Sequence, residues 1–334
     1  MSKPKVFLTR RILESGLNLV QDFCRAGIWP EELPPTHEEI LAHVGGVEGL
    51  LCLLTDRIDM EVLDAAGPGL KVISSCAVGV DNVDVAAATA RGIPVGNTPG
   101  VLTDATADLT FALLLAAARR VVEGDRLVKN GGWKTWELGL LLGADLHGAT
   151  LGIVGFGRIG RAMARRASGF GMRIIFTDPG PAKPEAGVEA TQVDFDTLLG
   201  QSDFVSLHCP LTAETRGLMN AAAFAKMKPT AVLVNTSRGA VVDQAALYNA
   251  LNSKRIFAAA LDVTDPEPIP GDSSLLTLEN CIIVPHIASA SWQTREKMSL
   301  MAAENLIAGL KGERLPNCIN PNVYTQLTGK RTHP

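Results

Sequence analysis

The sequence lacks the features that would place it on a nucleic acid or in a membrane. Its 31 basic and 35 acidic side chains give a formal charge of −4 without runs of one sign, so it has no cationic stripe for phosphate backbones or anionic lipids. Its longest apolar stretch with a helical pattern, Leu109 to Ala118, is too short to span a bilayer. We therefore expect no nucleic-acid partner and no membrane partner.

Cysteine pairs with the spacing of a metal site are also lacking. The six cysteines lie far apart, most of them in apolar strings such as Leu51-Cys52-Leu53, where a reduced core thiol is the expected state. No histidine or cysteine pair has metal-ligand spacing, and Gly-x-Ser-x-Gly is absent, so we predict neither a metal site nor a serine hydrolase. The N-terminus shows no secretory signal, and we expect a cytoplasmic protein.

What is present is an ordinary globular composition, 46% apolar and 20% charged over 334 residues, at a length that favours two domains. Short apolar runs alternate with helical segments, which predicts an α/β fold with parallel sheets. The first hundred residues contain four predicted strands, enough for a small flavodoxin-like unit. From Thr150 onward about six more strands are predicted, the content of a full dinucleotide-binding sheet.

Other segments depart from this alternation. A long helix is predicted from about Thr106 to Val121, and a last helix over Ser299–Lys311. The stretch Gly124–Thr150 carries glycines and tryptophans with no clear period, and we interpret it either as an arm that packs on another subunit or as part of a site. The polar tail Thr325–Pro334 is predicted to be disordered.

A glycine-rich motif, Gly155-Phe156-Gly157-Arg158-Ile159-Gly160, lies between an apolar strand and a helix. The hexapeptide alone is a weak signal, but this context is typical of a dinucleotide-binding turn. Gly155 would make the tight turn, Gly157 would let the backbone approach a pyrophosphate, and Gly160 would let helix and strand pack closely.

Asp178 closes the next apolar strand, eighteen residues after Gly160. A carboxylate at this position accepts hydrogen bonds from an adenosine ribose diol and repels a 2′-phosphate. No arginine follows directly in Pro179-Gly180-Pro181-Ala182-Lys183. The pattern predicts NAD as the cofactor, with NADP as the alternative, and the competing interpretation is an aspartate that only caps a loop.

Three ionisable residues follow successive predicted strands: Arg238, Glu267 and His286. Ligands of open α/β sheets bind at the carboxyl ends of strands, so the three side chains are expected to converge. They form a complete set for carbonyl reduction, because a guanidinium holds a carboxylate bidentately, an imidazolium protonates the carbonyl oxygen, and a carboxylate orients the histidine.

Each of these residues also has a structural interpretation when taken alone. Arg238 would be a surface residue at a helix start, Glu267 part of a turn between prolines, and His286 a structural histidine. His208 is expected to line the cofactor crevice, and the other histidines are assigned no chemistry. A glycine-containing loop after a strand, residues 75–81, would aim backbone N–H groups at an anion or be an ordinary turn.

Together these motifs resemble the D-2-hydroxyacid dehydrogenase family over nearly the whole chain. The resemblance is carried by Ala77-Val78-Gly79-Val80-Asp81, the glycine-rich motif, His208-Cys209-Pro210-Leu211-Thr212, Asn235-Thr236-Ser237-Arg238-Gly239, Asp262 to Pro268 and Pro285-His286-Ile287-Ala288-Ser289. Within the family the chain looks most like the glyoxylate/hydroxypyruvate reductases.

The resemblance implies a role for each matching residue. Arg238 would hold the 2-keto acid, His286 would be the general acid, and Glu267 would support it. Substrate contacts would come from Leu54, from the Val78 and Gly79 amides, and from Arg238. The implied cofactor contacts are Thr106, Gly155, Gly157, Arg158, Ile159, Gly160, Asp178, Pro210, Thr215, Thr236, Asp262 and Ala288.

The implied architecture is a Rossmann NAD-binding domain, residues 101–287, inserted in a smaller flavodoxin-like substrate domain made of residues 1–100 and 288–334. The arm at residues 124–150 would embrace a second subunit and give a homodimer. The implied reaction is the NAD(P)H-dependent reduction of small 2-keto acids, glyoxylate and hydroxypyruvate first, to 2-hydroxy acids that are D where chiral.

Departures from the family pattern leave alternatives open. Leu140 stands where related animal reductases place a tryptophan, which puts size selection in question, and Asp178 stands where such relatives often have a basic or small residue. The same scaffold would serve another 2-hydroxyacid dehydrogenase, acting for example on D-lactate or phosphoglycerate, or a phosphite dehydrogenase. A rival of another class is a dinucleotide-sensing scaffold whose output is partner binding.

Overall fold

The computed structural model describes residues 2–325 and divides into two compact units. Unit 1 is Met1–Leu102 with Ala290–Pro334, of which residues 2–102 and 290–325 are described, and unit 2 is Thr103–Ser289. The tail predicted to be disordered lies, apart from Thr325, outside the described residues. The predicted domain boundaries fall close to those of the compact units, and the roles assigned to the two domains stay predictions.

Unit 1 is built on a five-stranded parallel sheet with the order β2-β1-β3-β4-β5, a flavodoxin-like arrangement. Helices connect the strands. The elements are β1 (Lys5–Leu8), α1 (Glu14–Phe23), β2 (Arg25–Ile28), α2 (His37–His43), β3 (Gly49–Cys52), α3 (Met60–Ala66), β4 (Val72–Ser75), α4 (Val85–Ala90), β5 (Val95–Gly96) and, from the C-terminal segment, α11 (Trp292–Leu310).

The central strands of unit 1 are apolar throughout because both faces of the sheet are covered. All four residues of β3 are buried, with Leu50 packed into one apolar cluster and Leu51 into the cluster on the opposite face. Such continuous apolar runs are typical of parallel sheets buried on both sides.

Unit 1 has five strands where four were predicted, because β2 was missed, as was helix α2. Strand β2 is short and partly exposed at the sheet edge, so its hydrophobic signal is weak. Helix α2 carries a readable signal, the capping box in which Thr36 accepts from the Glu39 amide and the Glu39 carboxylate accepts from the Thr36 amide. The last helix was also placed too late, because α11, capped by Ser291, begins at Trp292, seven residues before the predicted start.

Unit 2 is built on a seven-stranded parallel sheet with the order β12-β11-β10-β9-β6-β7-β8. This is the Rossmann order with one further strand. Its elements are α5 (Thr103–Ala118), α6 (Val121–Lys129), β6 (Thr150–Val154), α7 (Arg158–Gly169), β7 (Arg173–Thr177), β8 (Thr191–Gln192), α8 (Phe195–Gln201), β9 (Phe204–Leu207), α9 (Ala221–Lys226), β10 (Val232–Asn235), α10 (Gln244–Asn252), β11 (Ala258–Leu261), β12 (Cys281–Ile283) and two short 3₁₀ helices, Gly239–Val241 and Ser274–Thr277.

The helix predicted from Thr106 to Val121 is two helices. Helix α5 starts earlier, at Thr103, and ends at Ala118, whose carbonyl accepts from the Ala144 amide, and Arg120 then adopts a left-handed backbone with φ 53°. Because a continuous α-helix excludes this conformation, the chain turns before α6. The predicted arm therefore begins inside α6 and continues without helix or strand from residue 130 to 149.

The strand count in unit 2 is seven rather than six because β8 was missed. This strand has two exposed residues and pairs only with β7, so no periodic pattern announces it. No helix within residues 2–325 is long and apolar enough to cross a membrane.

Candidate active site

The three glycines of the motif after β6 do different things. Gly155 has φ 90°, and a Cβ there would lie 2.6 Å from the Cys209 nitrogen, so the turn and the close approach to the end of β9 both require glycine. A Cβ on Gly160 would lie 2.2 Å from the Gly155 carbonyl oxygen. Gly157, at the start of α7, has open space where its Cβ would be. The turn therefore exposes backbone at a helix N-terminus, which fits a pyrophosphate.

Asp178 follows β7 beside this turn. Its Oδ2 accepts from the Phe156 amide at 2.8 Å, and its Oδ1 accepts from the Gly180 amide at 3.3 Å. The carboxylate is therefore fixed against the glycine-rich turn while it stays half-exposed. Each carboxylate oxygen keeps acceptor capacity for a further donor, such as a ribose hydroxyl.

Arg238, Glu267 and His286 follow three strands that are neighbours in the sheet. Strand β10 pairs with β11 and β11 with β12, all parallel, so their carboxyl ends lie at one edge. The structure thus places all three predicted residues at the same edge of unit 2, half-buried or exposed and open to a ligand.

His286 and Glu267 form a direct pair. Nδ1 of His286 lies 2.5 Å from Oε1 of Glu267, and their side chains are 22% and 32% exposed. With Nδ1–H given to the carboxylate, Nε2 is the nitrogen left to face a substrate. His286 also has φ 51°, a conformation that costs energy in a residue with a side chain and that clusters at functional sites.

Asp262 holds the backbone around His286. Its carbonyl accepts from the His286 amide, its Oδ1 from the Ile287 amide at 2.6 Å, and its Oδ2 from the Ala288 amide at 2.8 Å. The carboxylate is 1% exposed, and burial raises its pKa while the two amides oppose the rise. Asp262 was predicted to line the cofactor; the structure adds a positioning role that sequence reasoning missed.

The turn that carries Arg238 is held by Asn235, a second residue that sequence reasoning missed. Nδ2 of Asn235 donates to the Arg238 carbonyl at 2.9 Å, while Oδ1 accepts from the Ser237 amide and hydroxyl. Gly239 fits because a Cβ there would lie 1.9 Å from the Thr264 carbonyl oxygen. An asparagine at the end of a strand and a glycine four residues later were the available signals.

Two predicted cofactor residues, Thr106 and Thr236, are joined through Thr110. The Thr110 hydroxyl donates to the Thr106 carbonyl at 2.7 Å and lies 2.7 Å from the Thr236 hydroxyl. Two further predicted positions, Pro210 and Thr215, share one turn after β9, because the Thr215 hydroxyl donates to the Pro210 carbonyl at 2.6 Å. Arg158 and Ile159 open helix α7 after Gly157, and Arg158 is exposed.

His208 also follows a strand, β9, but its partner is a hydroxyl. Its Nε2 lies 2.8 Å from Oγ of Ser206, and burial lowers the pKa of His208 to about 3. The imidazole is therefore neutral near pH 7 and is not a proton donor of the imidazolium kind.

The remaining predicted substrate residues lie in unit 1. Leu54 is 37% exposed in the turn after β3, where Asn82 donates to the carbonyls of Leu53 and Asp56. Val78 and Gly79 follow β4, and the Val78 carbonyl accepts from Nδ2 of Asn97 at 2.8 Å. Their predicted contacts with a substrate stay predictions.

The cysteines and His37 are structural in character. The six cysteines, all within the described residues, are free thiols, and burial raises the pKa of Cys24 and Cys209 to about 11. Within residues 2–325 one group, His37, Asp59 and Glu61, brings three metal-type ligand atoms together. Nδ1 of His37 is buried without a hydrogen-bond acceptor, which disfavours ligation through Nε2 because Nδ1 would then carry a proton.

Comparison with known proteins assigns the chain to a family. Residues 111–288 match the family model of the D-isomer specific 2-hydroxyacid dehydrogenase, NAD binding domain. A glyoxylate reductase of Korarchaeum cryptofilum is 53% identical over 325 residues, 96% of this chain and 97% of the relative. The chain belongs to the D-isomer specific 2-hydroxyacid dehydrogenase family. It is an NAD(P)-dependent oxidoreductase, and the resemblance and fold class predicted from the sequence are confirmed.

Solved structures agree with the fold. The TT0316 protein from Thermus thermophilus superposes with a TM-score of 0.88 at 48% identity, over 94% of this chain and 99% of that one. An NADPH-dependent glyoxylate/hydroxypyruvate reductase from Sinorhizobium meliloti, in complex with NADP and malonate, has a TM-score of 0.84 at 31% identity, over 96% of this chain and 98% of that one. The cofactor class is a nicotinamide dinucleotide.

Proposed function

We propose that this enzyme reduces small 2-keto acids, glyoxylate and hydroxypyruvate first, to the corresponding 2-hydroxy acids, D where chiral. The observation that carries the proposal is the 2.5 Å pair of Glu267 and His286 at the sheet edge that also bears Arg238. The names of the Korarchaeum and Sinorhizobium relatives support the choice of substrates.

The chemistry divides among the three side chains. When bound, the dinucleotide supplies the hydride that forms the new C–H bond at the keto carbon. His286 donates the Nε2 proton to the carbonyl oxygen as the C=O bond is reduced, and Glu267 stabilises the imidazolium before that step. Arg238 binds the substrate carboxylate with its planar fork, because two parallel N–H donors fix both charge and orientation. The substrate contacts of Leu54, Val78 and Gly79 belong to the same proposal.

We propose NAD as the preferred dinucleotide. The support is Asp178, whose fixed carboxylate accepts from a ribose diol and repels a 2′-phosphate. Arg158, Thr106, Thr236 and the other cofactor positions named above complete the proposed contacts.

A panel of keto acids with NADH and NADPH tests the reaction by following absorbance of the reduced cofactor. We expect turnover with glyoxylate and hydroxypyruvate and a higher kcat/KM for NADH than for NADPH. Preference for pyruvate, for a phosphorylated acid, or for oxidation of phosphite would change the substrate. Tight dinucleotide binding with no turnover on any acid would favour the sensing scaffold instead.

We also propose a cytoplasmic homodimer. The support for the dimer is the arm, which exposes apolar side chains at Trp133, Trp136, Leu138 and Leu142. Sedimentation of the full chain and of Leu138→Asp tests this: the wild type should sediment as a dimer and the variant should dissociate more readily. A wild-type monomer would contradict the proposal.

A further inference from the structure

Gln192 clamps the loop that follows Asp178. It lies on the edge strand β8, opposite Phe176 in β7. Its Nε2 donates to the carbonyls of Asp178 and Gly180, both at 3.0 Å, and its Oε1 lies 3.5 Å from the Ala182 amide. Both N–H donors of the side chain therefore bond carbonyls of one five-residue loop, residues 178–182.

This loop presents Asp178. The carboxylate accepts from Phe156 on the glycine-rich turn and from Gly180 inside the loop, so its position depends on where Gly180 is held. Gly180 is bonded on both sides: its amide donates to Asp178, and its carbonyl accepts from Gln192. The side chain of Gln192 thus closes a network of hydrogen bonds that runs through the loop to the carboxylate.

The charges along the loop link this network to the choice between NAD and NADP. Asp178 is the anion at its start, and Lys183, exposed directly after the last clamped residue, is the first cation beyond it. A 2′-phosphate is repelled by Asp178 and attracted by Lys183. While the loop is clamped, the carboxylate is held at the turn. With the clamp removed, Asp178 is free to turn away and Lys183 to approach a phosphate.

We propose that Gln192 is a specificity-determining positioning residue, which sets the preference for NAD over NADP by holding Asp178 in place. The inference rests on the proposed NAD preference and deepens it. Gln192 contributes through the loop backbone, with no contact of its own to the cofactor required. Removing the Gln192 hydrogen bonds should therefore change the ratio of the NADPH and NADH dissociation constants more than it weakens the binding of both cofactors together.

The test is Gln192→Met, which keeps the length of the side chain and removes its hydrogen bonds. The dissociation constants of NADH and NADPH are measured by protein fluorescence on the full chain. We expect the NADPH-to-NADH ratio of dissociation constants to fall about tenfold, the effect of losing one or two net hydrogen bonds. The KM for glyoxylate should not change. Gln201→Met is the matched control, because Gln201 is another exposed glutamine of unit 2, bonded to Arg173 at 3.0 Å.

A double-mutant cycle with Asp178→Asn establishes whether Gln192 acts through Asp178. We expect Gln192→Met to change the ratio less in the Asp178→Asn background than in the wild type, and an equal change in both backgrounds would show that Gln192 acts without Asp178. An unchanged ratio in the single variant, or equal weakening of both dinucleotides, would overturn the inference while the proposed reaction stood. A wild type that binds NADPH as tightly as NADH would overturn both the NAD preference and this inference. Failure to reduce any keto acid would overturn the reaction alone, because the dissociation constants do not depend on turnover.

Discussion

Two histidines of unit 2 follow parallel strands of the same sheet, and their surroundings differ. His208 follows β9 and shares a hydrogen bond with the Ser206 hydroxyl, and burial lowers its pKa to about 3. His286 follows β12 and pairs with the Glu267 carboxylate at 2.5 Å, with a left-handed backbone held by Asp262.

The two histidines differ in burial and in partner, and not in their position at the sheet edge. Desolvation disfavours the charged form of the half-buried His208, and the Ser206 hydroxyl offers no charge to balance a proton, so His208 stays neutral. A carboxylate stabilises the imidazolium and fixes which nitrogen faces outward, so His286 is equipped to donate a proton. Variants of each partner test this difference.

The largest effect is expected from His286→Asn. Asparagine can still donate to Glu267 from the position of Nδ1 but offers no acid at the position of Nε2. We expect kcat for glyoxylate to fall by about 10³, within the range that general acid catalysis supplies. Steady-state kinetics with saturating NADH measures this loss.

The matched control is His208→Gln, which keeps a donor or acceptor where Nε2 met Ser206. Its kcat should stay within a few-fold of the wild-type value. Equal losses in the two variants would remove the distinction between the two histidines, and a wild-type kcat in His286→Asn would show that another group donates the proton.

The second effect is expected from Glu267→Gln, which leaves His286 in place with a neutral partner. The imidazolium loses its counter-charge, so we expect kcat for glyoxylate to fall about 10- to 100-fold. Urea unfolding of the variant separates this from a structural effect. A loss of activity that follows a loss of stability would mean that Glu267 only supports the fold.

The third effect is expected from Arg238→Lys. The charge is kept, but an ammonium cannot offer two parallel donors to a carboxylate, so the KM for glyoxylate should rise about tenfold or more with a smaller change in kcat. Methylglyoxal, an uncharged 2-oxo compound without a carboxylate, gives the contrast, since its KM should change little. If kcat falls alone, Arg238 acts on the reaction step and not on binding.

Much of this candidate site was predictable because its ionisable residues directly follow predicted strands. Arg238, Glu267 and His286 each follow a recognisable apolar strand, and parallel strands bring their carboxyl ends to one edge. The glycine motif was predictable for the same reason. Short connections have no such signal: β8 is two exposed residues, and Arg120 ends a helix within an otherwise helical sequence.

Positioning residues were harder to predict because their partners are set by tertiary contacts. Asp262 bonds the amides of Ile287 and Ala288, 25 and 26 positions along the chain, and nothing in the local sequence announces this. Gln192 looks like an ordinary exposed polar residue until the sheet register places it beside the loop after β7. Candidate reacting groups were therefore easier to predict from the sequence than the residues that hold them in position.

The smallest effect is expected from His208→Gln on the free energy of unfolding in acid. This variant tests the burial of the imidazole alone. The folded chain keeps His208 neutral down to about pH 3, whereas an unfolded histidine takes up a proton near its ordinary pKa of about 6.5. Between these values the unfolded state binds one more proton, so wild-type stability falls as pH is lowered, by at most ~1.4 kcal/mol per pH unit from this group. Glutamine does not titrate, and urea unfolding of the variant at pH 7, 6 and 5 should show a flatter decline. Parallel declines would mean that His208 is protonated in the folded chain, and the contrast with His286 would then rest on the Glu267 carboxylate alone.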